Sequence, residues 1–309
     1  MPSGTPVDRG DPALPTVRRW RGPAPGPTIA LLGGVHGDEV EGVLAVNEIA
    51  RLVAAEGVAG ELRWVAPASP DAWAAATREH PVDGGNLARS FPGRSDGGPT
   101  EGIAAMLTAD VIGGSDLVID LHSAGSAYEM PLLCGYLAAG PLADRAAAAA
   151  ASFAAEYTWR HPAIGPGRTL SAAEQLGVPA IYAECRGGGR TRRADVQAYV
   201  DGVARVLAAR GMLRSASAPA PLRAPIGVRG DGNTDEGVYS PVGGLLVTEV
   251  EAGDVVAPGQ PLARIVDDEG ITLHTISAER DGVVMMLRRS LRVAAEQPVL
   301  IVAALAETR

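Results

Sequence analysis

The stretch Thr28-Ile29-Ala30-Leu31-Leu32-Gly33-Gly34-Val35-His36-Gly37-Asp38-Glu39 decides the fold. Thr28 to Leu32 is continuously apolar after its first residue, the mark of a strand buried on both faces. Gly33-Gly34 breaks it. A helical pattern then starts at about Glu39 and runs to Glu56, with Val40, Val43, Leu44, Val46, Ile49, Leu52 and Val53 at three- and four-residue spacing. Similar short strands are read at Leu62 to Ala66, Leu117 to Leu121 and Ile181-Tyr182-Ala183. Ala-rich helices lie between them, most clearly from Ala143 to Tyr157. Apolar strands alternating with helices indicate an α/β layer covered on both faces.

The chain changes character at both ends of this pattern. Residues 1 to 27 are rich in Pro, Gly and Arg and read as an irregular or edge segment. Ser215-Ala216-Ser217-Ala218-Pro219-Ala220-Pro221 is a linker by composition. Beyond it, Gly232-Asn233, Gly243-Gly244, Gly253-Asp254, Pro258-Gly259 and Asp281-Gly282 punctuate short strands, the pattern of an all-β unit. The expected division is therefore a first domain over residues 1–214, a linker over 215–224 and a β domain over 225–309. A length of 309 residues suits two domains of roughly 150 each.

Composition excludes several classes. With 46% apolar and 20% charged residues the chain holds enough material for a core and is no disordered polymer. All 27 basic residues are Arg. The absence of Lys removes Walker-type phosphate loops, Schiff-base chemistry and biotinyl or lipoyl carrier function. A net charge of −9 argues against nucleic acid as a partner, because such affinity comes from neutralising phosphates. No apolar run reaches the ~18 residues of a membrane span. Two cysteines, Cys134 and Cys185, are too few for a disulfide framework, and with no signal peptide the reading is cytoplasmic.

The loop after Leu32 is where α/β proteins place ligands. A dinucleotide site fails there, because the spacing is not G-x-G-x-x-G and Asp38 and Glu39 would repel phosphate. A cation suits the place. His36 and Glu39 offer an imidazole nitrogen and a carboxylate oxygen, both suitable zinc ligands. A catalytic zinc needs a third ligand and an open position. His122 is the best candidate, since it also follows a buried strand; Asp120 points to the same face and suits a supporting partner. An ordinary structural role is the alternative for each histidine taken singly. His80, His161 and His274 lack ligand-like surroundings and read as surface or packing residues. No serine-hydrolase signature occurs.

These residues resemble the succinylglutamate desuccinylase/aspartoacylase family, relatives of zinc carboxypeptidases. The resemblance rests on GGVHGDE (Gly33 to Glu39), on Asp120-Leu121-His122, on Arg89-Ser90-Phe91-Pro92-Gly93, and on Pro179 to Glu184 followed by Gly187-Gly188-Gly189. It implies a three-layer α/β/α domain of the zinc-carboxypeptidase type with a mixed sheet. The all-β unit from residue 225 resembles a barrel-sandwich hybrid of the biotinyl/lipoyl type, with Asp267, Asp268 and Glu269 where carriers present their Lys. The resemblance further implies one Zn²⁺ per chain held by His36, Glu39 and His122. It makes Glu184 the general base, lets Arg78 polarise the scissile carbonyl, and gives Arg89 and Asn86 to the substrate. In one departure, the family's N-L-N-R is here Asn86-Leu87-Ala88-Arg89, which removes an amide from carboxylate binding. Arg186, Arg190, Arg192 and Arg193 either attract an acidic substrate or form a solvated basic face.

The expected function is zinc-dependent hydrolysis of the amide bond of a small N-acylated amino acid or amine. A carboxypeptidase-like peptidase acting on short peptides is the nearest alternative, and a non-enzymatic binding or scaffold protein the alternative of another class. Expected partners are a small N-acyl substrate and, through the β unit, a homo-oligomer; neither nucleic acid nor membrane is expected.

Overall fold

Alternate residues of the decisive strand enter two different cores. In the computed structural model, which describes residues 14–213, 218–221, 223–233 and 237–306, Ile29 and Leu31 pack with Val46, Ile49, Phe153, Tyr199 and Val203. Ala30 and Leu32 instead pack with Ile103, Leu107, Val111, Leu170 and Ala173. This two-faced burial is why the sequence shows no polar alternation there. Residues 1–13 of the Pro- and Gly-rich leading segment and residues 215–217 and 222 of the expected linker lie outside the described residues.

The strands β1 (Arg18–Arg21), β2 (Thr28–Gly33), β3 (Glu61–Val65) and β4 (Leu117–Leu121) begin the main sheet. β5 (Tyr128–Glu129), β6 (Leu133–Leu137), β7 (Tyr157–His161), β8 (Ala180–Glu184) and β9 (Ile226–Arg229) follow. Their order is β1-β3-β2-β4-β8-β6-β7-β9, with β5 set aside on the C-terminal unit. β3, β2, β4 and β8 run parallel, whereas β6 joins β8 antiparallel and carries β7 and β9 parallel to itself. The sheet is thus mixed. Helices α1 (Val40–Glu56), α4 (Ala143–Phe153) and α6 (Arg193–Ala209) cover the first face. α3 (Pro99–Leu107) and α5 (Thr169–Gln175) cover the second, while the short α2 (Pro70–Ala75) follows β3. The edge expectation holds for β1, which lies antiparallel on β3 with Arg21 and Arg63 both bonded to Glu61.

Two strands were not foreseen. The helix expected from Ala143 to Tyr157 stops at Phe153, where Ala154 turns to φ +52° and ends the hydrogen-bond ladder. Tyr157-Thr158-Trp159 then takes the extended form that aromatic and β-branched residues favour. β6 escaped notice because Gly135 interrupts its apolar run.

The C-terminal strands are β10 (Val238–Tyr239), β11 (Gly244–Thr248), β12 (Val255–Val256), β13 (Pro261–Val266), β14 (Thr272–Ser277), β15 (Gly282–Arg288), β16 (Arg292–Val293) and β17 (Pro298–Leu305). β17 pairs with both β9 and β15, so the main sheet continues into this region without a break. A second sheet, β14-β13-β11-β16, packs on it through Val250, Leu262, Ile265, Ile276, Val284 and Leu300. The acidic turn between β13 and β14 is closed by Asp267, whose Oδ1 accepts from the Glu269 and Ile271 amides.

Helix α1 touches β4 most closely at Gly42. A Cβ there would stand 2.2 Å from the Leu121 carbonyl oxygen. Alanine in a helix is normally better than glycine by about 1 kcal/mol. Here the clash with backbone reverses the sign, so Gly42→Ala lowers the thermal midpoint, as a melting curve will show.

Candidate active site

The carboxyl ends of β2, β4 and β8 lie side by side. The turn after β2 delivers His36 and, at the start of α1, Glu39; His122 follows β4; Glu184 ends β8. Gly34 (φ +74°) lets the first turn double back. His36, Glu39 and His122 are all buried, and their ligand-type atoms lie within 4.8 Å of one another.

Hydrogen bonds from behind fix both rings. His36 Nε2 lies 3.1 Å from Asn86 Oδ1, an oxygen that also accepts from the Ala88 amide. His122 Nε2 lies 2.9 Å from Asp120 Oδ2, which accepts from Thr169 Oγ1 at 2.6 Å. Each Nε2 therefore carries the proton in the neutral ring, which leaves each Nδ1 a bare lone pair. Those lone pairs face the same carboxylate: His36 Nδ1 stands 2.6 Å from Glu39 Oε1 and His122 Nδ1 2.9 Å from Oε2. Three acceptors converging in a dry place repel one another unless a cation joins them. The donor set, two imidazoles and a carboxylate, is one that Zn²⁺ accepts.

The electrostatics carry the same demand for positive charge. Burial works to raise the Glu39 carboxyl, yet His36 and His122 hold it well below the usual range. Burial works to lower His122, yet Asp120 and Glu39 keep it well above an ordinary imidazole. His36, with only Glu39 to favour its charge, is lowered by burial. Burial pushes Glu184 well above the ordinary carboxylate range, with the neighbouring Glu39 adding to the rise and His122 opposing it. Its Oε2 is sealed from solvent and has no hydrogen-bond partner among the described residues.

These groups open into a cavity. Its wall includes His36, Arg78, Arg89, His122 and Glu184. Arg78 Nη1 is 3.2 Å from both His36 Nδ1 and Glu39 Oε1. Arg89 lines the cavity beside Ala88, with Nη1 on the Ala88 carbonyl. Of the seven residues singled out in the sequence, five line this space. Glu39 is bonded to His36 and His122, and Asn86, expected to meet the substrate, has its side-chain oxygen on His36. Asp38 turns away to Ser126. Arg192 and Arg193 are held by Glu129 and Asp195 and by Glu48 respectively, outside the cavity wall. Cys134 and Cys185 are buried free thiols, both raised by burial and poor nucleophiles for it.

The cavity also holds residues that sequence reasoning passed over: Tyr182, Trp159, His161, Arg168, and Asp231 with Gly232 from the segment after β9. His161 was expected at the surface or in packing; it is buried in the cavity wall, because Tyr157 to His161 is a strand of the main sheet and not the end of a helix. Strand alternation from Tyr157 would have placed it beside Trp159.

Burial lowers His161 to about 4 from 6.5. The unfolded chain therefore binds the extra proton between pH 6.5 and 4, and stability falls as pH drops through that window. From pH 7 to pH 5 the loss from this one group is about 2 kcal/mol. His161→Phe should flatten that part of the profile, read by urea denaturation at the two pH values.

Comparison with known proteins agrees with this geometry. The family model described as the succinylglutamate desuccinylase/aspartoacylase catalytic domain matches residues 25–210. The chain is 33% identical to the N-alpha-acetyl-L-2,4-diaminobutyric acid deacetylase of Halomonas elongata over 273 residues, 85% of this chain and 78% of that protein. The product-bound structure of the ectoine utilization protein EutE (DoeB) from Ruegeria pomeroyi superposes with a TM-score of 0.84 at 30% identity, covering 94% of this chain and 88% of that one. A succinylglutamate desuccinylase from Silicibacter sp. TM1040 gives a TM-score of 0.85 at 25% identity, covering 94% and 89%. Because the matched segment carries the two histidines, the carboxylates and the arginines described above, in order and in one cavity, the chain belongs to the succinylglutamate desuccinylase/aspartoacylase family.

Proposed function

We propose that the chain is a zinc-dependent hydrolase that cleaves the amide bond of a small N-acylated amino acid. The observation that carries this is the convergence of His36 Nδ1, His122 Nδ1 and the Glu39 carboxylate beside an unpartnered Glu184 oxygen. Bound there by His36, Glu39 and His122, one Zn²⁺ would supply a Lewis acid for the acyl oxygen and lower the pKa of a water. Asn86 and Asp120 serve by holding the two rings so that Nδ1 faces the metal position.

Glu184 takes a proton from the attacking water and returns it to the leaving nitrogen. Its burial suits both steps, because a carboxyl raised above its ordinary range holds the proton between taking it and returning it. Arg78, on the metal side of the cavity, donates to the acyl oxygen as negative charge develops on it. Arg89 takes the substrate carboxylate with the planar fork that such a group matches. Ala88 offers no amide beside it, so recognition of that carboxylate falls more heavily on the guanidinium.

The names of the relatives support the substrate class, and the one from Halomonas elongata favours an N-acetylated amino acid with a second amine. A peptidase reading fits less well, since the segment of Asp231 and Gly232 walls the cavity on one side. A scaffold has no use for a buried carboxylate oxygen left without a partner.

The test is Glu184→Gln, assayed on N-acetyl amino acids with metal content measured on the same sample. Wild-type protein should carry about one zinc per chain. The variant should keep that zinc while kcat falls ~10²–10⁴-fold or more, the usual contribution of general acid–base catalysis. Wild-type activity should drop on its acid side as Glu184 becomes protonated, since only the ionised form accepts the proton. Near-normal kcat in the variant would assign the base elsewhere, and full activity in metal-free protein would end the reading.

A further inference from the structure

The geometry points to Tyr182 as the residue that receives a protonated second amine of the substrate, its hydroxyl oxygen held as a hydrogen-bond acceptor by His161. The inference rests on the deacylase reading above and goes on to name the group that selects among N-acyl amino acids.

The direction of each hydrogen bond follows from the one before it. His161 Nδ1 lies 2.8 Å from the Gly230 carbonyl oxygen, which can only accept, so Nδ1 carries the proton. The ring is buried and neutral at physiological pH. Its Nε2 is then a bare lone pair, 2.9 Å from the Tyr182 hydroxyl. Tyr182 must donate its single proton to that nitrogen. What the phenol has left for the cavity it lines is its acceptor lone pairs.

The fold makes room for this pair at two glycines. Gly135 on β6 stands between Tyr182 on β8 and Trp159 on β7 in the sheet register. Its Cβ would fall 2.0 Å from a Tyr182 ring carbon, so only glycine lets the ring lie across β6 and reach His161. At Gly232 a Cβ would fall 2.2 Å from His161 Cε1. The two rings lie nearly parallel, at 23°, with centroids 5.7 Å apart.

An acceptor fixed in this way attracts an N–H donor and rejects a carboxylate. Glu184 stands two residues along the same face of β8, its Cα roughly 6–7 Å from that of Tyr182 by strand rise, and Asp231 adds a carboxylate to the wall. Of the cavity's cations, Arg78 and Arg89 serve the acyl oxygen and the carboxylate; Arg168, whose charge reaches His161 and also Tyr182, the latter less strongly than Glu184 does, donates to Asn233 Oδ1. A substrate with an acylated amine, a carboxylate and a free ammonium meets a group of the right sign at each point. The N-acylated diamino acids are that class.

The experiment compares L-2,4-diaminobutyrate with L-norvaline, in which a methyl group replaces the ammonium, and the Nα-acetyl derivatives of both, on zinc-loaded full-length protein. Binding of the two free amino acids is read by calorimetry and turnover of the two acetyl derivatives by kinetics. Wild type should prefer the diamino compound in both. Tyr182→Phe should cut that preference roughly ten- to a hundred-fold, the range for one hydrogen bond to a charged group. The change should sit in KM and not in kcat, because the contact is the same in ground and transition states. His161→Phe, which frees the phenol proton to turn into the cavity, should move the preference the same way. Equal binding of the two amino acids by wild type, or a preference unchanged in Tyr182→Phe, overturns the assignment. The binding arm needs no turnover, so failure to hydrolyse any N-acyl amino acid would count against the deacylase reading alone.

Discussion

Everything in this structure that bears on chemistry depends on a buried carboxylate, Glu39, caught between two imidazoles whose outer nitrogens are already committed. A carboxylate in a dry interior is costly unless charge and hydrogen bonds meet it. Here the Ser123 amide donates to Oε2, and the two histidines stand on either side. Neither ring can turn to offer its other nitrogen without breaking a bond to Asn86 or Asp120. Tyr199 of α6 adds a hydrogen bond to the His122 carbonyl, 2.5 Å away, so that helix steadies the backbone as well. The arrangement is stiff, and its stiffness favours a bound cation over collapse onto the carboxylate.

The sheet supplies the rest through one change of direction. β2, β4 and β8 run together and deliver His36 with Glu39, His122 and Glu184 at their ends. β6 reverses after β8, so β7 brings Trp159 and His161 to the opposite wall. The continuation through β9 then carries Asp231 and Gly232 into the same space. The C-terminal sandwich is joined to this wall by β17 on β9 and by β5 on β15. A change in its packing is therefore felt at the substrate side of the cavity more than at the metal side.

How much of this was legible depended on range. β2, β4 and β8 were readable because both their faces are apolar, and His36, His122 and Glu184 were readable because they stand where such strands end. The β13–β14 hairpin was readable through the resemblance to biotinyl/lipoyl folds, which puts Asp267, Asp268 and Glu269 at its tip. What stayed hidden was made by long-range pairing. β6 looked broken because Gly135 has no side chain, and that absence is what lets Tyr182 reach across it. Tyr182 passed for one more apolar strand residue, and His161 for a surface or packing residue. Their contact joins strands separated by a third, and no local periodicity announces it. Asn86 was read from a motif, and its bond to His36 needs the fold to be seen.

Position 88 shows how these pieces constrain one another. Where the family commonly has an amide, this chain has Ala88, buried against the cavity wall with its own amide bonded to Asn86. An Asn at that point would add a donor beside Arg89. The cavity therefore has fewer neutral donors on the arginine side, while Tyr182 and Glu184 give it acceptors on the β8 side. Under the proposed reaction, a site of that polarity would discriminate through the free ends of the substrate and leave the acyl group, between them, to be chosen mainly by size.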